Sequence, residues 1–346
     1  MIDHSFRNAI MEVGIDFARH DQPETALDFA CKMYEAGKPF SAVTDSTKSI
    51  MDFVVEKYAK NGDLDNAMQA FERIVGVVGK YAQWTSRPIF LALLENNDPD
   101  RALDLTRKID SFNENVQNQM YFELMEYMLI HDDREKCAEM LDEVMERAAK
   151  LERPANRLKN MENIVKIAVQ LNNPSKVDQV LIAAEKSRDA ALTEKDPQAY
   201  DDIVAERNQV HVLHDFAAVQ FAADRIDDAK KTLADALRQA DKVVDAERSA
   251  ESLRQKDWAI CGVARKQTDL GLADDAFYTV ALMVDQEAKT EGYYYICGGF
   301  ISAKDFPNAR KALTLAKECL KEINNSRIFG NVEYLERQLE KAEKGQ

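Results

Sequence analysis

The sequence is poor in the residues that punctuate a chain. Its 346 positions hold 12 Gly and 8 Pro, about half the share of an average protein. So few turn residues cannot serve many short strands, which excludes an all-β architecture. Long apolar runs are missing too. The longest tight run, Ile89 to Leu94, falls far short of the roughly 18 residues a membrane-spanning helix needs. The first residues, Met1-Ile2-Asp3-His4-Ser5-Phe6-Arg7, lack a basic start followed by an apolar core, so no secretory signal is expected. Neither G-x-x-x-x-G-K-[ST] nor G-x-G-x-x-G occurs, and Gly298-Gly299 is no substitute, so nucleotide catalysis has no support and no cofactor is expected. The five cysteines, Cys31, Cys137, Cys261, Cys297 and Cys319, are an odd number with no C-x-x-C pair. That pattern points to reduced thiols in the cytoplasm, most of them small apolar core residues.

What is present is an acidic, foldable composition. Apolar residues make up 45 % and charged residues 31 %, and 46 Lys plus Arg face 61 Asp plus Glu for a net charge of −15. Such a balance repels polyphosphate backbones at long range, so nucleic-acid binding is disfavoured.

A short element recurs along the chain: Asp or Asn, a few residues of turn chemistry, then a small residue opening an apolar helix. It reads Asp63-Leu64-Asp65-Asn66-Ala67, Asp98-Pro99-Asp100-Arg101-Ala102, Asp133-Arg134-Glu135-Lys136-Cys137, Asn173-Pro174-Ser175-Lys176-Val177 and Asp305-Phe306-Pro307-Asn308-Ala309. The leading Asp or Asn is an N-cap, and Pro suits a first helical turn. Weaker versions lead into Ala26, Ala229 and Ala276. The eight anchors Ala26, Ala67, Ala102, Cys137, Val177, Ala229, Ala276 and Ala309 are 41, 35, 35, 40, 52, 47 and 33 residues apart.

Positions not used to choose the register test it. Seven residues after the anchors stand Met33, Ile74, Ile109, Val144, Ala184, Ala236, Met283 and Ala316, all apolar, an outcome with a chance of about two in a thousand for such a composition. Four residues after the anchors, Ala30, Phe71, Thr106, Leu141, Leu181, Leu233, Val280 and Leu313 are apolar save one. Anchor, +4 and +7 share one helical face, so each second helix offers a small residue and then two larger ones. Nine residues before the anchors, Phe17, Tyr58, Leu93, Met128, Ala168 and Phe300 are apolar, while Gln220 and Gln267 are not. This is the stripe of a first helix packing on the second.

Tyr58, Gly62, Ala67, Phe71 and Ile74, with the turn Asn61-Gly62-Asp63-Leu64-Asp65-Asn66-Ala67 and with Met33, Gly37 and Pro39 upstream, resemble the tetratricopeptide repeat with a pentatricopeptide flavour. The resemblance implies an all-α, right-handed α-solenoid of about eight antiparallel helix pairs. A last helix, Asn331 to Lys344, is expected to cap it, with Glu333, Glu336, Arg337, Glu340 and Lys341 facing solvent. The 52- and 47-residue spacings imply longer helices or an inserted turn near Glu194-Lys195-Asp196-Pro197. Asp196-Pro197 is the expected hinge between an N-terminal array, 1–195, and a C-terminal array, 196–346, unless the two are one continuous solenoid.

Catalytic patterns are sparse. His211 and His214, at i, i+3, share a helical face and could hold a metal with Asp215, or be helix-packing histidines; no metal site is expected. Asp201-Asp202, Asp227-Asp228 and Asp274-Asp275 read as charges placed at helix starts rather than as acid/base pairs. Binding residues are easier to nominate. Carried over from the tetratricopeptide register, Trp84, Arg87 and Leu91 fall on an inner helix where such proteins present side chains to peptides; the alternative is an interhelical Trp in the core. Of Tyr293-Tyr294-Tyr295, at least one ring is expected near the surface, for partner contact or for packing on the next repeat, with Tyr293 and Tyr294 the candidates. A basic island, Arg147, Lys150, Arg153, Arg157 and Lys159, continues down one helical face as Lys159, Asn163, Lys166 and Gln170. Those four match groove-lining positions of the family and suit an acidic segment or a free carboxylate; a solvated, salt-bridged face is the alternative.

The expected function is therefore a non-enzymatic scaffold that captures a protein or peptide on a concave face. A pentatricopeptide-like reader of single-stranded RNA and an α/α enzyme with carboxylates converging in a central cavity are the alternatives.

Overall fold

A computed structural model describes residues 4–38, 41–79, 85–109, 114–193, 202–244, 249–323 and 325–345. Among them are seventeen α-helices and no strand. They pair as α1 (His4–Arg19) with α2 (Pro23–Gly37), α3 (Ser41–Lys60) with α4 (Leu64–Val78), α5 (Ser86–Glu95) with α6 (Pro99–Lys108), and α7 (Glu114–Ile130) with α8 (Arg134–Lys150). Then follow α9 (Pro154–Gln170) with α10 (Pro174–Thr193), α11 (Asp202–Ala222) with α12 (Ile226–Ala240), α13 (Ala250–Asp269) with α14 (Ala273–Ala281), and α15 (Gln286–Ser302) with α16 (Phe306–Leu320). A single α17 (Ser326–Glu343) ends the series. The fold is all-α, eight helix pairs and a terminal helix, as the repeat register implies.

Every pair is closed by the same three-residue turn. The residue five before each anchor is left-handed: Asp21, Gly62, Asn97, Asp132, Asn172, Asp224, Gly271 and Lys304, with φ between 54° and 74°. The next residue donates its N–H to the carbonyl of the residue nine before the anchor, from Gln22 to Phe17 through Asp305 to Phe300, at 2.8–3.0 Å in all eight turns. Its own carbonyl then accepts from the anchor's N–H and starts the second helix. This is the Schellman arrangement, which satisfies the last carbonyls of one helix and reverses the chain within three residues. Asp, Asn and Gly dominate the left-handed position because they tolerate positive φ. Asp63, Asp98, Asn173 and Asp305 also cap the second helix through their side chains, as the motif requires.

Seven of the eight anchors, all but Val177, have no accessible surface. A methyl or thiol there lets the paired helices approach closely. Cys137 Sγ lies 3.7 Å from the Met125 carbonyl across the α7–α8 pair, and Cys297 Sγ lies 3.2 Å from the Ala309 carbonyl across α15–α16. The register shifts in α10, where Val180, Ala184 and Ser187 are buried while Val177 and Leu181 are only half-buried. The terminal helix starts five residues before the expected Asn331, because exposed Gly330 conceals a stripe of Ile328, Val332, Leu335 and Leu339 that is buried where α17 packs on α15 and α16. Glu333, Arg337, Glu340 and Lys341 face solvent, and Glu336 is half-buried.

The chain divides into two compact units, Met1–Val144 and Met145–Gln346. The division falls inside α8, upstream of the expected boundary at 195/196, and the Asp196-Pro197 turn lies outside the described residues. In the first unit α1, α3, α5 and α7 pack side by side; in the second, α9, α11, α13, α15 and α17 do the same. Approach within these layers is close: a Cβ on Gly299 would sit 2.7 Å from Thr268 Cγ2. On the even helices of the first unit, positions 36 residues apart, one more than the anchor spacing, pair by charge. Asp65 meets Arg101 and Asp100 meets Lys136 near the helix starts, while Glu72 meets Lys108 and Arg107 meets Glu143 near the ends. Each such exposed pair contributes well under about 1 kcal/mol, so the ladder fixes register more than it adds stability.

Lys304, exposed at φ 58°, carries the side chain worst suited to its turn. Removing its Cβ relieves about 1–2 kcal/mol of left-handed strain against the extra entropy of glycine. Lys304→Gly is expected to raise unfolding stability by about 0.5–1 kcal/mol, and Gly62→Ala to lower it by about 1 kcal/mol, both read as urea midpoints at unchanged slope.

Candidate functional site

In the second unit the odd helices carry side chains of different chemistry at one offset from their anchors. Lys159, His211 and Trp258 each stand eighteen residues before their anchors Val177, Ala229 and Ala276, and α9, α11 and α13 lie side by side. Lys159, Asn163, Lys166 and Gln170 are all exposed along α9, as the spacing implies. Lys166 is bridged to Glu162 at 2.7 Å. Lys159 has no carboxylate partner among the described residues.

Arg153 is the N-cap residue of α9, exposed and making no side-chain capping bond. Arg157 is half-buried, one guanidinium nitrogen donating to the Glu152 carbonyl at 3.2 Å. In the first unit Arg87 on α5 pairs with Glu123 on α7 at 2.8 Å, where Gln119 donates to the same oxygen. Leu91, one turn on, is 41 % exposed. Trp84 lies outside the described residues.

Of the three tyrosines, Tyr293 is buried at 6 % and corrects the expectation that it contacts a partner: its face of α15 turns into the core. Tyr294 and Tyr295 are half-buried, their ring centroids 5.3 Å apart. The Trp258 ring on α13 is 6.3 Å from Tyr295, and the Arg265 guanidinium lies 5.0 Å over it. Trp258 itself is 39 % exposed. Trp258 and Arg265 are absent from the sequence-derived set, although the offsets that select Lys159 and Lys166 on α9 lead to them on α13.

Between α9, α11 and α13 the layer encloses a polar cluster. His211 Nδ1 lies 2.8 Å from His214 Nε2, and Gly262 on α13 leaves room for both rings, since a Cβ there would come within 3.3 Å of each. The Asp215 carboxylate, 8 % exposed, is 3.1 Å from His214 Nδ1 and 3.7 Å from Lys266 Nζ. Lys266 also reaches Glu162 at 3.6 Å. Burial alone would raise the Asp215 pKa, but His214, Lys266 and Lys159 outweigh it and hold the carboxyl below its usual range. Burial, helped by His214, pushes the His211 imidazole down to about 4. The two imidazoles bond each other rather than converging with a third ligand, and among the described residues no group of three His, Cys, Asp or Glu has metal-holding geometry.

The other chemical candidates are structural. Asp227, Asp228, Asp274 and Asp275 sit in the first turns of α12 and α14; Asp202 opens α11, and Asp201 lies outside the described residues. All five thiols are unpaired and four are buried, with Cys261 and Cys297 pushed up to about 12 by burial. Among the described residues no helix is long and apolar enough to cross a membrane.

The His211 shift makes stability depend on pH. The unfolded imidazole protonates near 6.5 and the folded one only near 4, so between those values the unfolded chain binds more protons and stability falls as pH falls. Wild type should lose about 2 kcal/mol between pH 7 and pH 5 from this group. His211→Gln should remove that part of the loss in urea titrations at the two pH values.

No protein-family model and no curated protein matches the chain. Among solved structures, the crystal structure of Ton1535 from Thermococcus onnurineus NA1 is similar at 11 % identity, covering 82 % of this chain and 97 % of that one with a TM-score of 0.31. A circular tandem repeat protein with novel repeat topology and enhanced subunit contact surfaces is similar at 13 % identity, covering 98 % of this chain and 88 % of that one with a TM-score of 0.28. Neither likeness bears on function.

Proposed function

We propose that the protein is a tetratricopeptide-like, non-enzymatic binding scaffold of the cytoplasm, and that the exposed face of the odd helices captures an extended segment of a protein partner. One observation carries the reading: five odd helices of the second unit lie side by side and bring to one layer a row of exposed polar side chains and a half-buried aromatic patch. Trp258, at 39 % exposure, and the exposed Lys159 are open to a partner on that layer. Tyr, Trp and Arg are the side chains that anchor partners most strongly.

An acidic segment fits the α9 row by charge, with Asn163 and Gln170 as amide donors beside Lys159 and Lys166. Single-stranded RNA fits less well, because Glu162 and Asp215 interrupt the cations of the same layer. An enzymatic reading has little to use: the carboxylate pairs serve helix starts, and the buried thiols are too basic to act as nucleophiles near neutral pH.

Selection from a displayed library of random peptides tests the proposal. Enriched peptides should be rich in Asp and Glu. Asn163→Glu combined with Lys166→Glu, both on exposed positions, should weaken their binding about tenfold or more, while Arg310→Ala on α16 should leave it unchanged. Enrichment insensitive to the α9 changes would defeat the reading, as would tight, steeply salt-dependent binding of an RNA oligonucleotide.

A further inference from the structure

A cavity of about 440 Å³ opens between α10 and α12 beside α11, a size at the small end of ligand sites. Leu192 and Leu213 supply its apolar lining, and three cations reach it: Arg188 from α10, Arg238 from α12 and Lys242 from just beyond α12. Two carboxylates line it as well, each held by the arginine of its own helix. Asp189 lies 2.7 Å from Arg188, and Asp235 is bridged to Arg238. Lys242, exposed, has no carboxylate partner among the described residues. The cavity therefore keeps a positive charge in excess, in a chain of net charge −15.

The even helices meet here differently from those of the first unit. There, cations cross to carboxylates one even helix on, as Arg107 does to Glu143. Among the described residues α10 and α12 share one such bridge, Asp178 to Arg225 at 3.8 Å, at the end of α10 away from the cavity. At the cavity, cations come from both helices and no carboxylate crosses between them. Arg238 alone would answer the negative end of α12; Arg188 stands before the last turn of α10 and has no such role. Its guanidinium is fixed 4.5 Å from the centroid of the Phe216 ring. Nε and one terminal nitrogen share a single Asp189 oxygen, which leaves the other terminal nitrogen for a ligand. Gln239, also on the cavity wall, spends its amide hydrogens on Glu206 and Gln209, and its carbonyl oxygen accepts from no described residue.

We propose that this cavity binds a carboxylate borne on a short apolar chain, Arg188, Arg238 and Lys242 receiving the carboxylate and Leu192 and Leu213 the chain. One excess charge matches a carboxylate, whereas a phosphomonoester, with nearly two, overshoots it. An arginine fork also meets the two coplanar oxygens of a carboxylate directly. The free Gln239 oxygen suits a peptide N–H next to that carboxylate, so the end of a polypeptide uses the cavity more fully than a free acid does. The site is separate from the α9 row, none of whose residues lines it.

Calorimetry on the full chain near neutral pH and at about 0.15 M salt tests the assignment. The probes are an acetylated Gly-Ser peptide ending in a free Leu carboxylate, the same peptide amidated at that end, isocaproate and acetate. Isocaproate and the free-ended peptide should bind, the tighter with a Kd below about 1 mM, and the amidated peptide should not. Acetate should bind about tenfold or more weakly than isocaproate, because it lacks the buried chain. Arg238→Gln combined with Lys242→Gln, both on exposed positions, should weaken binding about tenfold or more. Lys321→Gln with Lys344→Gln, which removes the same charge from exposed positions elsewhere in the unit, should leave it unchanged. Tighter binding of the free-ended peptide than of isocaproate assigns the cavity to a polypeptide end; equal or weaker binding assigns it to a small acid. Absence of binding by either at about 10 mM would overturn the proposal. So would equal binding of the amidated peptide, acetate as tight as isocaproate, or an affinity indifferent to the Arg238 and Lys242 changes. Asn163→Glu with Lys166→Glu should leave this binding intact, and its loss in that variant would move the carboxylate to the α9 row and remove the cavity as its site.

Discussion

One backbone constraint organises the molecule: a single left-handed residue, followed by an N–H that reaches back five residues, turns the chain at every helix pair. The eight turns are alike although their residues range from Gly62 to Lys304. Because the turn fixes how the second helix leaves the first, the small anchor always arrives where two helices come closest. Variation is displaced to helix lengths and to the links between pairs. The wide spacings around Ala229 show this: α10, α11 and α13 run to 20, 21 and 20 residues, while the turns at Asn172, Asp224 and Gly271 keep three residues each.

A constant turn also makes the odd-helix face additive. Side chains of successive odd helices become neighbours, as Asp215 on α11 and Lys266 on α13 do, so chemistry accumulates along the layer without any long-range closure of the chain. The charges of the second unit illustrate the result. On α9, α11 and α13, Glu162 and Asp215 share Lys266, while Lys166 stays with Glu162. In the first unit Arg87 on α5 is paired in the same way with Glu123 on the next odd helix.

Much of this was legible in the sequence because the signal repeats. Ala67, Phe71 and Ile74 mean little singly; the same spacing at Ala309, Leu313 and Ala316 turns them into a register. Where a position lacks repetition, legibility fails for a physical reason. Three consecutive tyrosines span most of a helix circumference, so one of them must enter the core, and only the packing of α15 selects Tyr293. Gly330 weakens helical propensity at a point where Ile328 and Val332 demand a helix, and burial wins. The histidine cluster is illegible for another reason: His211 and His214 are close in sequence, but Lys159, Glu162, Gly262 and Lys266, which define their environment, arrive from two other helices. Extending the offsets of Lys159 and Lys166 to the next anchors would have exposed His211, Trp258 and Arg265 as a continuous set.

Catalysis by a carboxylate or an imidazole needs a group whose protonation changes near working pH and whose surroundings exclude water. His211, pushed down to about 4 by burial and by His214, keeps its charge state fixed near neutral pH. Asp215, paired and held below the usual carboxylate range, supplies a fixed negative end to the same chain of contacts. The cluster thus runs from Lys266 through the buried Asp215 carboxylate to His214 and His211. Because α9, α11 and α13 contribute Glu162, Asp215 and Lys266 in turn, it ties three neighbouring repeats together.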